Sequence, residues 1–425
     1  MNQTIFGCYL QTLVLFLVAI THAVRISYDG YKVYQVTPRT RVEADLLREF
    51  EEDIHFDFWS EIRAVDFPVD IMVAPGAQEE FEDFLDNQNL EYTTIIENVE
   101  EKIQEEDSRQ RRQVRVDRGN VTFTEYMRHD EILAYIEQLT VDYPSIATTE
   151  VIGKSFEGRD LTVIRISSGA SNKSIIFIEA AIHAREWIAP PVALYIINQL
   201  VENSNYTNMY EDIEWVIFPV VNPDGYEYTH TDARLWRKTR STATICNGVD
   251  GNRNFDFQWM VTGASSWQCS ETYAGRSAFS EVETQAVKNF FDSHRGRIKL
   301  FIDLHSYGRL LMFPWGYTSD PPSDFEELQS LGERVNDAIT SVRGTNYTVG
   351  TAISILYPTS GGSRDYAKAV GGIDLSYTIE LPAGGNAGFN PDASEIIPVV
   401  TEIWEGIKVF YDYVVEKYVN GTKTV

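Results

Sequence analysis

The 425-residue chain is short of three things: cysteine, histidine and positive charge. Lys and Arg number 36 against 63 Asp and Glu, a net of −27. That balance excludes nucleic acid and anionic membrane surfaces as partners, and it admits an acidic ligand only through a local basic pocket. Long apolar runs are also scarce. The one of note, residues 10–20, is too short to span a bilayer comfortably, and no other transmembrane segment is present. Small residues follow it at Thr21-His22-Ala23, so 1–23 reads as a secretory signal, although no Lys or Arg precedes the apolar run. A membrane anchor is the competing reading. Of the three cysteines, Cys8 would leave with the signal. Cys246 and Cys269 remain as an even pair, for which a disulfide suits a secreted, extracellular chain. Acceptor sequons at Asn120, Asn172, Asn205, Asn346 and Asn420 fit the same compartment.

Apolar residues make up 43% of the chain, enough for a large core, and the length exceeds one ordinary domain. Residues 24–112 form an acidic block with 10 Lys and Arg against 23 Asp and Glu. Strand-like alternation at 31–36 and 69–75, with helical spacing at 44–50 and 79–85, predicts a small α+β domain. The block ends in a charged helix and the basic run Arg109-Gln110-Arg111-Arg112. That run reads as a processing site for a trypsin-like or dibasic-specific protease, with a solvated linker as the alternative. A cut after Arg112 would make 24–112 a pro-segment and 113–425 the mature domain. In the latter, strands at 148–153, 161–167, 174–179, 213–218, 298–304 and 375–381 alternate with helices at 130–139, 190–202, 280–292, 324–342 and 394–418. This predicts an α/β domain with a mixed sheet covered by helices.

The chemistry centres on Ala181-Ile182-His183-Ala184-Arg185-Glu186-Trp187, between the apolar strand at 174–179 and the helix from 190. Open α/β sheets bind ligands at the carboxyl ends of their strands. The i, i+3 spacing turns His183 and Glu186 the same way, and the two make most of a His₂Glu zinc site. Alone the pair is weak, so the third ligand matters. His22 and His55 fall in the signal and pro-segment. His129 and His294 lie in polar surroundings near helix ends, and His230 in a polar turn. Only His305 ends a strongly apolar strand, so it is the expected third ligand. Glu380 also lies in an apolar strand, where a carboxylate is costly unless used; beside zinc it would take a proton from water.

Taken in order, Ile182-His183-Ala184-Arg185-Glu186-Trp187, Val221-Asn222-Pro223-Asp224-Gly225-Tyr226, Leu235-Trp236-Arg237-Lys238-Thr239-Arg240, Gly248-Val249-Asp250-Gly251-Asn252-Arg253-Asn254, Leu304-His305-Ser306-Tyr307, Tyr357-Pro358-Thr359-Ser360-Gly361-Gly362-Ser363 and Tyr377-Thr378-Ile379-Glu380-Leu381 resemble the secreted zinc metallocarboxypeptidases of the pancreatic A/B type, pro-segment included. The resemblance implies an eight-stranded-type mixed sheet covered by helices, an open-sandwich pro-domain and a monomeric exopeptidase acting on peptide C-termini. It implies one Zn²⁺ per chain on His183, Glu186 and His305, with Asp250 orienting His183. Glu380 would be the general base and Arg237 the group that stabilises the oxyanion. Asn252, Arg253 and Tyr357 would hold the terminal carboxylate, and Arg185, Ser306 and Tyr307 the neighbouring upstream subsite. A cis peptide is implied at Ser306-Tyr307. A catalytically silent zinc-binding protein on this scaffold is the rival reading, but such proteins lose a ligand or the base, and neither is missing here.

The pocket base departs from the family pattern. Members that prefer apolar C-terminal residues carry an apolar side chain just after the Gly-Gly-Ser turn, and those that prefer Lys or Arg carry Asp. This chain has Arg364, with Ala352 and Gly316 as small wall residues and Met312, Thr359 and Thr378 completing the lining. Arg364 in the pocket would select a C-terminal Glu, less well Asp, and reject a basic residue. Pairing of Arg364 with Asp365 would instead leave room for Leu, Met or Phe.

Overall fold

The computed structural model describes residues 25–60, 62–63, 65–110, 119–169, 172–382 and 388–421. The expected signal segment and the expected cut after Arg112 lie outside the described residues.

The acidic block folds as a four-stranded antiparallel sheet with helices on one face. Its strands are β1 (Lys32–Thr37), β2 (Phe56–Phe58), β3 (Val69–Val73) and β4 (Glu91–Ile96), in the order β2-β3-β1-β4. Helices α1 (Arg41–Arg48) and α2 (Gln78–Asn87) cover one side, and α3 (Val99–Gln110) leads out. Alternation along β1 explains the layering. Tyr34 and Val36 join Leu47, Ile71, Phe81 and Leu85 in the core under the helices. Val33 faces the other way and packs with Trp59, Met72, Val99 and Ile103 against Leu235 and Phe389 of the larger domain. Both faces of this small sheet are therefore buried, one inside the block and one on its neighbour.

The larger domain begins with α4 (His129–Asp142), β5 (Ala147–Lys154), β6 (Asp160–Ile166) and β7 (Ser174–Ala180), followed by α5 (Ala189–Glu202) and α6 (Met209–Asp212). Next come β8 (Ile213–Phe218), α7 (Pro223–Thr231), α8 (Val282–Ser293), β9 (Ile298–Ser306) and β10 (Leu310–Phe313). The chain continues through α9 (Phe325–Arg343), β11 (Thr348–Thr351), α10 (Ala352–Ile355), α11 (Ser363–Ala369), β12 (Leu375–Leu381) and α12 (Ile396–Val414). The strand order is β11-β10-β12-β9-β7-β8-β6-β5, with the four central strands β12, β9, β7 and β8 parallel. Those central strands are covered on both faces, which is why they read as near-continuous apolar runs. Ile176 and Ile178 of β7 pack into the core shared with α4, α5, α9 and α12. Ile175 and Phe177 pack into the core shared with α8 and α11.

Local chemistry sets the ends of the elements. Pro190 and Pro191 occupy the first turn of α5, where their missing N–H groups cost nothing. Gly344 closes α9 in the left-handed conformation, φ 85°. The expected helix over 394–418 resolves into a short 3₁₀ turn at Ala393–Glu395, α12, and a π-helical turn at Val415–Asn420. Among the described residues, no helix is long and apolar enough to cross a membrane. Cys246 and Cys269 form a disulfide with Cα atoms 5.0 Å apart. All five acceptor asparagines are exposed.

Two histidines are more buried than the sequence reading implies. His129 does sit at a helix end among charged groups, Glu227, Arg159, Asp130 and Asp224, but it is buried there. His230 is in helix α7, not a polar turn, with its ring stacked on Trp187 at 4.1 Å. Burial, followed by the Arg128 and Arg234 cations, holds it well below the usual imidazole range. His230 was misread because Trp187, which stacks on it, comes from another part of the chain, while Tyr226 meets it within α7.

Candidate active site

The carboxyl ends of β7, β9 and β12 lie side by side and deliver the expected residues to one place. β7 ends just before His183 and Glu186, β9 ends with His305 and Ser306, and β12 brings Glu380 opposite His305 in register. The turn after β7 needs Ala181 at φ 55°, and its backbone carbonyl accepts from Asn222 N at 3.2 Å. Ser306-Tyr307 is a cis peptide, as is Pro314-Trp315.

His183, Glu186 and His305 are all buried, and their ligand atoms lie within 4.8 Å of one another. His183 Nδ1 is 2.7 Å from Glu186 Oε1 and 3.1 Å from His305 Nδ1, which is 3.0 Å from Glu186 Oε2. Each imidazole turns its other nitrogen to a carboxylate: His183 Nε2 to Asp250 Oδ1 at 3.0 Å, and His305 Nε2 to Asp303 Oδ2 at 2.8 Å. With Nε2–H donated on both rings, two Nδ1 lone pairs and a carboxylate converge with no donor between them. Such a set repels itself unless a cation sits among it, and two imidazoles with one carboxylate are the donor set of a catalytic zinc. The residues present therefore fit the metal.

Asp250 is a buried hub. Its Oδ1 also accepts from Asn252 N at 2.9 Å, and its Oδ2 accepts from Arg237 Nη2 at 2.9 Å and Nε at 3.2 Å. Burial raises the Asp250 carboxyl, but Arg237, His183 and Arg253 outweigh it and hold the group well below the usual carboxylate range. Glu380 goes the other way. Burial pushes its carboxyl up and Glu186 adds to the push, while His305 opposes.

Residues 132–406 match the zinc carboxypeptidase family, and 34–106 match the carboxypeptidase activation peptide. The chain belongs to the zinc carboxypeptidases. It is 44% identical to carboxypeptidase B of Astacus astacus over 300 residues, 70% of this chain and 99% of that one. To carboxypeptidase A1 of Mus musculus it is 35% identical, covering 92% of this chain and 95% of that one. The crystal structure of the carboxypeptidase A from Helicoverpa armigera superposes with a TM-score of 0.85 at 36% identity, over 90% of this chain and 97% of that one. This metallocarboxypeptidase is thus made with an activation peptide, its cofactor is zinc, and its relatives carry both A and B names.

The cleft of this zinc carboxypeptidase gathers most of the expected residues. Arg237, Asn252, Arg253, Tyr357, Ser306, Tyr307, Met312, Thr359, Arg364, Thr378 and Glu380 line it together with His183, Glu186 and His305. Arg253 is held by Gly263 O at 2.7 Å and Asn252 O at 3.0 Å, and its Nη2 reaches Tyr357 Oη at 2.8 Å. Asn252 turns its amide inward, accepting from Ser363 N at 2.8 Å. Arg364 is 6% exposed. Its Nε meets Asp365 Oδ1 at 3.2 Å and its Nη1 meets Thr378 Oγ1 at 3.2 Å.

Two expected residues sit elsewhere. Ala352 is fully buried behind Leu310 and Met312 and does not reach the cleft. Arg185 is covered by the activation segment: its Nη1 donates to Asp57 Oδ2 at 2.7 Å, and its guanidinium lies 4.1 Å from the Phe389 ring. The same segment puts Phe58, Trp59, Ser60 and Arg63 into the cleft wall. Tyr307 Oη donates to Asp70 Oδ2 at 2.8 Å, so the activation segment closes the cleft beside Tyr307. Asp303 was not among the residues expected from the sequence. The signal for it is an acid two residues before His305 in an otherwise apolar strand.

Proposed function

We propose that this enzyme removes single residues from peptide C-termini with a preference for Glu and, less well, Asp, and that it is secreted as a monomeric zymogen cut after Arg112 by a trypsin-like or dibasic-specific protease. The observation that carries the acidic preference is Arg364 in the pocket wall. Its Nε and Nη1 are bonded to the protein, and among the described residues Nη2 makes no hydrogen bond. A ligand carboxylate would complete the charge-assisted pairing of a nearly buried guanidinium. A Lys or Arg side chain would meet like charge. The signal-like segment, the disulfide and the exposed acceptor asparagines support secretion.

In this reading His183, Glu186 and His305 hold the metal. A zinc ion held by these three residues would supply a Lewis acid for the scissile carbonyl and for activating water. Asp250 keeps His183 in its ligating tautomer. Glu380 takes the proton of the attacking water and passes it to the leaving amine. Arg237 stabilises the negative charge that grows on the scissile oxygen. Arg253, Tyr357 and Asn252 hold the terminal carboxylate, while Arg185, Ser306 and Tyr307 serve the upstream residue once the activation segment has left.

The Arg364–Asp365 contact favours a second reading, in which the pair neutralises itself and the pocket takes Leu, Met or Phe. The test is kcat/KM of the processed enzyme for otherwise identical peptides ending in Glu, Phe and Lys, repeated with Arg364→Ile. The acidic reading expects Glu to lead by at least about a hundredfold and to lose that lead in the variant, since a site built to pair a polar group discriminates strongly against its absence. A Phe peptide cleaved better than the Glu peptide by the unmutated enzyme would sink it.

A further inference from the structure

The docked activation segment leaves a second cavity at its seam with the catalytic domain, of about 530 Å³. That is the size of a small-molecule site, for which about 300–1,000 Å³ is usual. Of the residues lining it, only Phe58 also lines the catalytic cleft. The activation segment contributes Tyr28, Tyr31, Phe56, Phe58 and Met72 to its wall, and the catalytic domain contributes Tyr228, Leu235 and Trp236. Three contacts made by lining residues hold the two halves together. Ile26 N donates to Asp232 O at 2.6 Å, Ser265 Oγ to Glu52 Oε1 at 3.1 Å, and Arg185 Nη1 to Asp57 Oδ2 at 2.7 Å.

Charge in this wall is one-sided. Glu51, Glu52, Asp53, Asp57 and Glu271 stand against Lys238 and Arg240. Both cations are engaged already. Lys238 Nζ donates to Gln268 O at 2.8 Å and to Ser270 O at 3.1 Å, and the Arg240 guanidinium lies 3.5 Å from the centre of the Tyr228 ring. Two acids are left short. Asp57 Oδ1 is buried with no hydrogen-bond partner, and the Glu271 carboxyl is hydrogen-bonded to no described residue. Burial pushes that carboxyl up and Asp57 adds to the push, while Lys238, Arg185 and Arg237 oppose. Aromatic faces beside under-compensated carboxylates favour one kind of guest: a cation whose charge meets the acids and whose apolar body meets the rings. Arg240 on Tyr228 is a resident example of the same contact.

We propose that the seam cavity is a binding site for a small organic cation with an apolar body, of the arylalkyl-ammonium class, and that the site exists only while the activation segment is docked. Departure of the segment takes away four of the five acids and the wall from Tyr28 to Met72, leaving an open surface. Binding and docking are then linked, so the ligand tightens docking by the factor by which docking tightens the ligand. An anionic guest would meet five like charges, and a neutral one would leave Asp57 Oδ1 and Glu271 as they are. The inference rests on the docked segment and on neither the metal nor Arg364.

Calorimetric titration of the uncleaved chain with phenethyltrimethylammonium tests it, with the neutral N-(2-phenylethyl)acetamide as the comparison. One saturable site per chain is expected for the cation. The amide should bind at least about fivefold more weakly, the difference a desolvated cation–ring and cation–carboxylate contact supplies. Enzyme from which the activation segment has been removed should bind the cation at least about tenfold more weakly than the uncleaved chain. Glu271→Gln keeps the shape and removes the charge; it should weaken the cation at least about threefold and leave the amide unchanged. The absence of saturable binding to the uncleaved chain overturns the proposal. So does an amide bound as tightly as the cation, a cation bound as tightly after the segment is removed, or a folded Glu271→Gln chain with undiminished affinity. If Glu271→Gln does not fold, the first three comparisons on the unmutated chain decide.

Discussion

Arg185 Nη1 and Asp57 Oδ2 lie 2.7 Å apart across the seam between the catalytic domain and its activation segment. Arg185 is 1% exposed, and the Phe389 ring covers its guanidinium. A cation enclosed in this way leans on the carboxylate hydrogen-bonded to it, with Glu271 acting from farther off. Removing one partner of a buried charge pair costs about 2–5 kcal/mol, mostly from the charge left behind. Asp57→Ala is therefore expected to loosen the docked segment by a factor of tens to thousands. Measured on the uncleaved chain, it should show appreciable hydrolysis of a short peptide and faster activation by trypsin. An uncleaved Asp57→Ala chain as silent and as slowly activated as its parent would mean that the pair does not hold the segment down.

Glu380 sits in register with His305, and among the described residues no other carboxylate beyond the ligand Glu186 lines the cleft. Glu380→Gln keeps the shape and removes the proposed base. General base catalysis contributes about 10²–10⁴ in rate, so kcat should fall by at least a hundredfold while zinc content stays at one per chain. Metal analysis beside the kinetics separates a lost base from a lost metal. A chelator should abolish hydrolysis in the unmutated enzyme, and added zinc should restore it.

The parts legible in the sequence share one property: their signals are local. β7 and β9 announce themselves because strands covered on both faces are apolar throughout, and a metal-ligating histidine follows β7 and lies at the end of β9. The alternation of β1 was legible for the same reason. Short elements were not. β10 and β11 have four residues each, too few for any period to stand out. α11 carries Arg364 into the pocket but has only seven residues. Contacts between distant stretches were also hidden. Ala352 looked like pocket wall, yet the packing of β10 on α10 puts it behind Met312. Arg185 looked like a subsite residue, and nothing near it in sequence reveals Asp57 as its partner 128 residues away.

Glu283, on α8, makes stability depend on pH. It is 1% exposed, and its Oε1 accepts from Phe156 N at 3.1 Å. Burial, opposed by two backbone hydrogen bonds and reinforced by Glu281 and Asp224, pushes its carboxyl from 4.5 up to about 7. Between those values the unfolded chain releases the proton that the folded chain keeps. Folding is then favoured on the acid side, the advantage is lost as pH rises from 4.5 to 7, and the contribution is flat above. The full span is worth about 3 kcal/mol. Glu283→Gln keeps the acceptor for Phe156 and cannot ionise. Urea unfolding of the variant and its parent at pH 5 and pH 8 should therefore show the variant gaining up to about 3 kcal/mol relative to the parent at the higher pH. A difference that does not change between the two pH values would mean that Glu283 titrates as an ordinary carboxylate.

Gly316 gives the sharpest check on the pocket, because it constrains Arg364 from the opposite wall. Its N–H donates to Asp365 Oδ2 at 2.8 Å and its carbonyl accepts from Thr359 N at 2.9 Å, so its backbone is stitched to both sides of the pocket. A Cβ added there would lie 2.7 Å from Thr359 Cγ2, 2.8 Å from Thr359 O and 2.9 Å from Arg364 Nη2. The Thr359 carbonyl is backbone and cannot step aside alone, so Gly316→Ala must shift the Thr359 strand segment, the guanidinium or both. Overpacking of this kind costs about 1–3 kcal/mol. If, as proposed, Nη2 pairs with a substrate carboxylate, its displacement should cost the Glu peptide at least tenfold in kcat/KM and the Phe peptide much less. The comparison needs no assumption about folding, since both substrates report on the same preparation. Equal losses for the two peptides would mean that Arg364 Nη2 does not read the C-terminal side chain.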